Sequence, residues 1–517
     1  MIRFLNGKLR TNTMTTQTTG FKTQILSFNM IPTALVVIVS LGLAYIIVTI
    51  VYNLYLHPLR TYPGPKLWAA TRIPYTCSSL SGQTHRKILE LHQKYGPIVR
   101  IAPNELAYNH PDAWKDVHGH LKNGTGDHGR DPVFTMDARH SIIGANREDH
   151  SRFRRALSHG FSAQSMFEQE SIIKGYVDLL IQKLHEKCAG GPEALDMVSW
   201  YNWTTFDVIG DLAFGEPFHC LEDSDYHPWV KLIFEGVKGG AFKMNARRYP
   251  LVERLLMKFV PADLRKKRDQ HLALTHEKVA KRLSVKSERP DFMASMLGKK
   301  GPQELTFEEL KSNSSTLIIA GSETTATALS AATYYVLSNT DSLKKLKDEV
   351  HNAFTSEDDI DMVSVQKLVY LQAVINEALR MYPPVPTGIM RRVTDDGGVF
   401  LGQHVPSGTL VQVWHWPTYH SPENFTLPDL FIPERWLDDP RFASDRKDGF
   451  QPFSVGPRNC IGRNLAYAEM RLILARIIWN FDMRLSEDSR GWDEKSEVYL
   501  LWQKGPVRVF LSPRTMT

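Results

Sequence analysis

Between Thr33 and Tyr52 the chain reads TALVVIVSLGLAYIIVTIVY, a run in which no side chain carries a formal charge. At about 1.5 Å per residue, a helix over those positions is about 30 Å long, the thickness of a bilayer's hydrocarbon core. The run is longer than a signal-peptide core and lacks a small-residue cleavage site. It predicts one membrane anchor, spanning about residues 33–52 within an N-terminal region 1–56. Prolines at 58, 63 and 65 then fix φ and stop the helix, so 57–65 reads as a stiff link. From 66 to 517 no second linker, repeat or low-complexity tract occurs, and this stretch is expected to form one water-soluble body.

Helical spacing of apolar residues dominates that body, with clear cases at Glu170–Glu186 and Leu343–Phe354. Strand-like pieces are short and scattered: Ile98–Ile101, Gly398–Leu401, Thr409–Val413 and Val507–Leu511. The expected class is mainly α with a minor β-sheet. The best-defined helix runs from Thr306 to about Ser338, opened by a capping box of Thr306 and Glu309. Gly321, Glu323 and Thr324 interrupt its apolar middle. Either Gly321 is a packing glycine beside a satisfied polar pair, or the helix widens there to take a ligand with a proton relay beside it.

The 517 residues carry 62 Lys+Arg against 56 Asp+Glu, a net charge of +6, with 42% hydrophobic and 23% charged residues. Such a balance excludes a disordered chain and a polytopic membrane protein, and gives no support to nucleic-acid binding. Four scattered cysteines and no CxxC exclude a disulfide scaffold and argue against a structural zinc site. Basic residues flank the apolar run on both sides, so charge bias does not orient it.

The most informative segment is Phe453-Ser-Val-Gly456-Pro-Arg458-Asn-Cys460-Ile-Gly462, followed by a helical run from Arg463 to Trp479. Gly456 and Gly462 allow tight turns and close backbone approach to a flat cofactor. Cys460 precedes a helix N-terminus, where the dipole and free N–H groups favour a thiolate. Arg458 adds a cation that can pair with an anion. A lone cysteine is more often simply buried, yet this setting suits an axial metal ligand.

With these residues the chain resembles the haem-thiolate monooxygenases, the cytochrome P-450 family. Phe453, Gly456, Arg458, Cys460 and Gly462 fill every fixed place of its haem signature FxxGxRxCxG. Ala320-Gly321-Ser322-Glu323-Thr324-Thr325 resembles its [AG]GxxT[TS] segment, Glu377-Ala-Leu-Arg380 its ExxR motif, and Pro433-Glu434-Arg435-Trp436 its PER[FW] element. His150-Ser-Arg-Phe-Arg154 falls where members have WxxxR, with His in place of Trp, and Arg391 follows the Pro383–Pro386 turn. The resemblance covers nearly the whole chain.

It implies haem b ligated by Cys460, with Arg458 among the cofactor-binding residues, His150, Arg154 and Arg391 at the propionates and Ala320 beside the cofactor. It implies that Thr324 hands protons to dioxygen, that Glu323 relays them from solvent, and that Glu377, Arg380 and Arg435 form a structural triad. Leu317, Thr387–Met390 and the 118–147 loop would line the substrate pocket. The implied activity is insertion of one oxygen atom from O₂ into an apolar small molecule. The electrons would come from NADPH through a partner NADPH–cytochrome P-450 reductase, with the body on the cytosolic face of the endoplasmic reticulum. The segments LYLHPLRTYPGPKL and KYGPIVRIAPNELAY are similar to fungal members that modify terpenoids or polyketides. Alternatives are an O₂-independent haem-thiolate isomerase or dehydratase, which can dispense with the Glu323-Thr324 pair, and a non-catalytic anchored haem sensor.

Other patterns read as incidental. Gly124-Thr-Gly126-Asp-His-Gly129 matches GxGxxG but lacks the flanking strand and helix of a nucleotide site, so a flexible loop is expected. His118, His120 and His128 are expected to be solvated loop residues. The N-x-[ST] sequons at Asn123, Asn202, Asn313 and Asn424 are at chance frequency.

Overall fold

The apolar run forms a helix from Gly20 to Val51, prolonged by a π-helical turn, Tyr52–Leu56. The computed structural model describes residues 20–121, 126–189, 193–285, 289–298 and 304–514, so the tail before Gly20 and the Asn123 sequon lie outside it. Leu35, Ile38, Leu41, Tyr45 and Val48 are each more than half exposed, and Thr33–Leu56 is long and apolar enough to cross a bilayer. The proline segment after it is packed onto the body. Leu59 is fully buried, the Arg100 amide donates to the Pro63 carbonyl at 2.7 Å, and Asn53 Nδ2 donates to the Ala70 carbonyl at 2.9 Å.

The body is mainly helical with small sheets, as the spacing predicts. Its five-stranded sheet has the order Ile98–Ala102, Glu105–Tyr108, Leu410–Val413, Arg391–Arg392, Gly129–Arg130. The first two strands are antiparallel, while Glu105–Tyr108 runs parallel to Leu410–Val413 with Glu105 opposite Leu410. At the far edge Arg130 lies opposite Arg391. Sheet register thus juxtaposes two like charges, an arrangement that requires an anion.

The long helix spans Phe307–Leu337, and both halves of its capping box form: the Thr306 amide donates to Glu309 Oε2 at 2.8 Å, and the Glu309 amide to Thr306 Oγ1 at 3.3 Å. It packs against the helices Met197–Phe214, Val369–Met381 and Arg463–Asn480. The helix is regular through Gly321, so the widening considered from sequence does not occur. A Cβ at Gly321 would lie 2.7 Å from Ile209 Cδ1, and the glycine serves the approach of the two helices.

One helix departs from the expectation of a body that is water-soluble throughout. Pro250–Lys258 has no buried residue, and Leu251 and Phe259 beside it are 79% and 73% exposed, with Val252, Leu255 and Leu256 also in the open. In a chain that also has a helix long and apolar enough to cross a membrane, such an amphipathic face suits the lipid interface. Deleting residues 1–56 should therefore leave a body that stays partly in the membrane fraction after a high-salt wash. Adding Leu251→Ser, Leu255→Ser and Phe259→Ser should release it. Complete release by the deletion alone would show that this face makes no lipid contact.

Candidate active site

The Phe453–Gly462 loop is shaped by backbone contacts. The Cys460 amide donates to the Phe453 carbonyl at 2.9 Å and the Asn459 amide to the Gly456 carbonyl at 3.1 Å. Gly456 has φ 77°, and a Cβ there would lie 2.0 Å from the His118 carbonyl oxygen, so only glycine fits. This contact seats the loop against the end of the Ala113–His118 helix. Gly462 is the N-cap of Arg463–Asn480, and the Phe453 ring packs on Tyr467.

Cys460 lies in a recess, dense protein around it but its side chain open on one side. Burial pushes its thiol up, opposed only in part by the Gly462 amide and the charges of Arg154 and Arg463. Helix terminus and burial thus oppose each other at the sulfur, and bonding to a metal would favour the thiolate. Arg458 does not act on the sulfur. Its Nε donates to Asp127 Oδ2 at 2.6 Å and its Nη1 to the Ala145 carbonyl at 2.9 Å.

Asp127 is the centre of a cationic cluster. Besides Arg458 it takes Arg391 Nη1 at 3.5 Å, and Arg130 is close to all three. Arg391 Nε donates to His118 Nδ1 at 3.3 Å, so neutral His118 carries its proton on Nε2. Burial and the neighbouring Arg391 and Arg130 hold His118 neutral. Burial and Arg458, Arg154 and Arg130 push His150 down to about 3. The buried donors His118 Nε2, Arg130 Nε and Arg130 Nη1 have no protein partner. Three guanidinium groups against one carboxylate leave two positive charges unpaired, with free N–H donors among them. A flat cofactor bearing two carboxylates answers both needs, and haem with its two propionates is such a group.

Several expected placements change. Arg154 does not join this cluster; its Nη1 donates to the Asn459 carbonyl at 2.7 Å and its Nη2 bonds Asn459 Oδ1, bracing the cysteine loop. His118 and His128 are not solvated: they are 1% and 3% exposed, and His128 stacks on Phe400. Only His120 is exposed. Part of the GxGxxG segment lies outside the described residues, but its Asp127 is the acid that gathers the cluster. No sequence pattern marked it, because its partners Arg391 and Arg458 are hundreds of residues away.

On the long helix Ala320 and Thr324 stand one turn apart on the exposed face, and Thr324 Oγ1 donates to the Ala320 carbonyl at 2.7 Å. Glu323 is turned into the protein. Its Oε1 pairs with Lys504 Nζ, both side chains being almost fully buried, and accepts from Thr327 Oγ1 at 3.3 Å. Its Oε2 has no partner. Lys504 carried no signal in the sequence.

Glu377, Arg380 and Arg435 come together as expected, every one of them with no exposed surface. Glu377 accepts from Arg380 Nε at 2.9 Å and Nη2 at 2.8 Å, and from Arg435 Nε at 3.3 Å. A fourth member, the equally buried Asp445, pairs with Arg435 Nη1 and balances the charge. Arg380 Nη1 also ties the Tyr419 and Pro428 carbonyls, at 2.9 and 2.7 Å.

Another buried acid lies on the cysteine helix. Burial pushes Glu469 up to about 8, opposed by a hydrogen bond from Thr325, and its Oε2 has no partner. Because the folded value exceeds the unfolded 4.5, the unfolded chain ionises first as pH rises, and stability falls between about 4.5 and 8. At pH 7 the loss is about 3 kcal/mol, taking ~1.36 kcal/mol per pH unit. Glu469→Gln should raise the denaturation midpoint at pH 7 and leave it unchanged near pH 4.5. A pH-independent difference between variant and wild type would refute a protonated Glu469.

The family profile of cytochrome P-450 matches residues 63–510. The trichothecene C-15 hydroxylase of Fusarium sporotrichioides is 53% identical over 477 residues, covering 92% of this chain and 97% of that protein. A monooxygenase of Talaromyces wortmannii is 46% identical over 479 residues, 92% of this chain and 96% of its own length. The averantin hydroxylase of Dothistroma septosporum is 45% identical over 478 residues, 92% and 90% of the respective chains. With a recessed cysteine on the signature loop and a cluster short of two anionic charges beside it, the chain belongs to the cytochrome P-450 family and is a haem-thiolate monooxygenase.

Proposed function

We propose that this enzyme hydroxylates or epoxidises a largely apolar terpenoid or polyketide of fungal secondary metabolism, using haem b and electrons passed from NADPH by a membrane reductase at the endoplasmic reticulum. The cationic surplus beside Cys460 carries the reading, and the names of the hydroxylase relatives support its substrate class. Bound haem supplies reductive activation of dioxygen, a thiolate ligand favouring O–O cleavage. Cys460 Sγ would ligate the haem iron. Arg130, Arg391, Arg458 and His118 would hold its carboxylates, with His150 beside them, while Arg154 fixes the cysteine loop. Thr324 Oγ1 holds and delivers protons on the exposed helix face. Glu323 would relay them from solvent only after its carboxylate, held away from that face by Lys504, turns toward it. The exposed apolar helix at the N-terminus supports single-pass anchoring, and the need for a reductase partner places the body, residues 66–517, on the cytosolic side in this reading.

The reduced protein under CO should show the red-shifted Soret band of thiolate ligation. With reductase, NADPH and the metabolites accumulated by a strain lacking the gene, it should yield a product one oxygen atom heavier. Oxygen-independent conversion would favour an isomerase or dehydratase, and haem binding without conversion a sensor. Thr324→Ala should fold and consume NADPH, yet lose product by ~10²-fold, the usual worth of a positioned proton donor, with peroxide rising in its place. Wild-type coupling in that variant would remove Thr324 from the relay.

A further inference from the structure

Arg100, in the strand Ile98–Ala102, is 1% exposed, yet no carboxylate among the described residues pairs with it. Burial pushes it down to about 10, with no acid to oppose the shift. A buried cation without a counter-ion is costly, so its hydrogen bonds must hold something in place. Its Nε and Nη2 donate to the Pro103 carbonyl at 3.0 and 2.7 Å, and its Nη1 to the Asn53 carbonyl at 3.0 Å. Asn53 lies in the π-helical turn Tyr52–Leu56 that ends the apolar helix. The last carbonyls of a helix lack partners within it. Here the His57 amide is taken by the Tyr52 carbonyl at 2.8 Å, and Pro58 has no N–H to give. Arg100 therefore caps this helix, and a cation there also suits the negative end of the helix dipole.

The link that follows is fastened to the same strand. The Leu59 amide donates to His57 Nδ1 at 3.0 Å, and burial and Arg100 push that imidazole down to about 4, so it stays an acceptor. Tyr62 Oη donates to the His404 carbonyl at 2.9 Å. A Cβ at Gly64 would lie 2.5 Å from the Arg100 carbonyl oxygen, so the link lies directly on the residue that caps the helix. Apolar side chains lead away from this joint. Tyr55 and Leu56 at the helix end are exposed, as are Leu67 and Ile73 on the short helices Lys66–Ala70 and Ile73–Leu80. Thr76 Oγ1 on the second of these lies 3.0 Å from the hydroxyl of Tyr249, the residue before the open apolar helix Pro250–Lys258.

We propose that the apolar helix is a rigid extension of the body and not a tether: Arg100 locks its last turn, so that the body rests on a phospholipid bilayer at one fixed tilt, with Leu67, Ile73 and residues 251–259 against the lipid. The inference rests on the reading of that helix as a membrane anchor. It gives the buried cation a task that no contact within the body explains, and it makes the apolar strip continuous with the segment that enters the bilayer.

Hydrogen exchange of the full-length haem-loaded protein in detergent tests the joint by itself. The amides of His57, Leu59, Arg60 and Tyr62, all bonded within the link, should exchange at least about 10²-fold more slowly than those of a free tether. Arg100→Met should speed them about 10-fold or more, the usual effect of losing a hydrogen bond from a charged donor, and leave the helix Phe307–Leu337 unchanged. Asn53→Ala removes only the bond to the Ala70 carbonyl. It should move the same amides in the same direction, and it keeps the test decisive if Arg100→Met does not fold. Linear dichroism of the haem in aligned phosphatidylcholine bilayers reads the tilt. It is measured on protein carrying Leu251→Ser, Leu255→Ser and Phe259→Ser, in which the body's own apolar face no longer sets the orientation. That protein should show one narrow tilt, and adding Arg100→Met or Asn53→Ala should broaden it. Unprotected link amides in the wild type, or an exchange pattern and tilt that the variants leave unchanged, would overturn the proposal. Protected link amides in a chain that fails to float with phosphatidylcholine vesicles would instead refute the anchor reading and leave the rigid joint standing.

Discussion

Cys460→Ala should abolish oxygenation, with product formation falling by at least about 10³-fold, the scale on which loss of an essential catalytic group is felt. The fold should survive, because the loop is held by main-chain bonds and by Gly456 against the His118 carbonyl, none of which uses the sulfur. None of the other cysteines can replace it. Cys77 is exposed on the Ile73–Leu80 helix, Cys188 ends the Glu170–Cys188 helix, and the buried Cys220 accepts from the His227 amide. The cationic cluster is also intact in the variant, so some haem should still associate through its carboxylates. The decisive reading is spectral: reduced under CO, the variant should lack the red-shifted band even where haem is present. A retained band would move the axial ligand elsewhere. Arg458→Ala offers the converse. It should lower haem retention by removing one of three cations around Asp127, yet keep the band position of whatever haem remains.

What was legible in the sequence is what is written locally. The capping box at Thr306, the apolar run from Thr33 and the turn-forming glycines of the cysteine loop each act over a few residues, and the corresponding elements form where the spacing places them. The ExxR pair sits on one helix face, so Glu377 and Arg380 had to meet. The rest concerns balances between local and long-range terms. The helix terminus before Arg463 favours a thiolate at Cys460 while burial opposes it, and burial depends on everything packed around the loop. Glu323 and Thr324 are neighbours in sequence, yet a helix turns about 100° per residue, and a lysine from the C-terminal segment draws the carboxylate away from the hydroxyl's face. Asp127, Lys504 and Asp445 were invisible for one reason: each is a single ordinary acid or base whose meaning comes from a partner brought by tertiary folding. His118 and His128 look like loop histidines until the sheet edge with Arg130 and Arg391 closes over them.

Glu377→Gln should remove a large part of the stability of the body. The carboxylate accepts from Arg380 Nε and Nη2 at 2.9 and 2.8 Å, from Arg435 Nε at 3.3 Å, and from the Ile432 amide and Trp436 Nε1 at 3.0 Å each. Burial alone would raise its pKa; the guanidinium groups of Arg380 and Arg435 hold it below the ordinary carboxylate range, so it is ionised. Glutamine keeps the shape but turns an NH₂ group toward donors and leaves two buried guanidinium groups facing the single charge of Asp445. Breaking a buried pair in this way costs about 3–5 kcal/mol, a large part of a typical total of roughly 5–15 kcal/mol. The expected result is a chain that accumulates mostly unfolded and without haem at 37 °C, and whose low-temperature fraction unfolds at a much lower denaturant concentration. Charge imbalance can be separated from lost shape by a second comparison. Arg435→Met leaves Asp445 buried and unpaired, whereas Arg435→Met with Asp445→Leu removes the whole pair, and pairs removed together are far better tolerated than broken ones. The double variant should therefore be more stable than Arg435→Met alone. If Glu377→Gln unfolds within about 1 kcal/mol of the wild type, the ordinary size of a point-mutation effect, this cluster is not what holds the Val369–Met381 helix to the Pro433–Trp436 turn, and the hydrogen bonds of Arg380 to the Tyr419 and Pro428 carbonyls must hold that region without it.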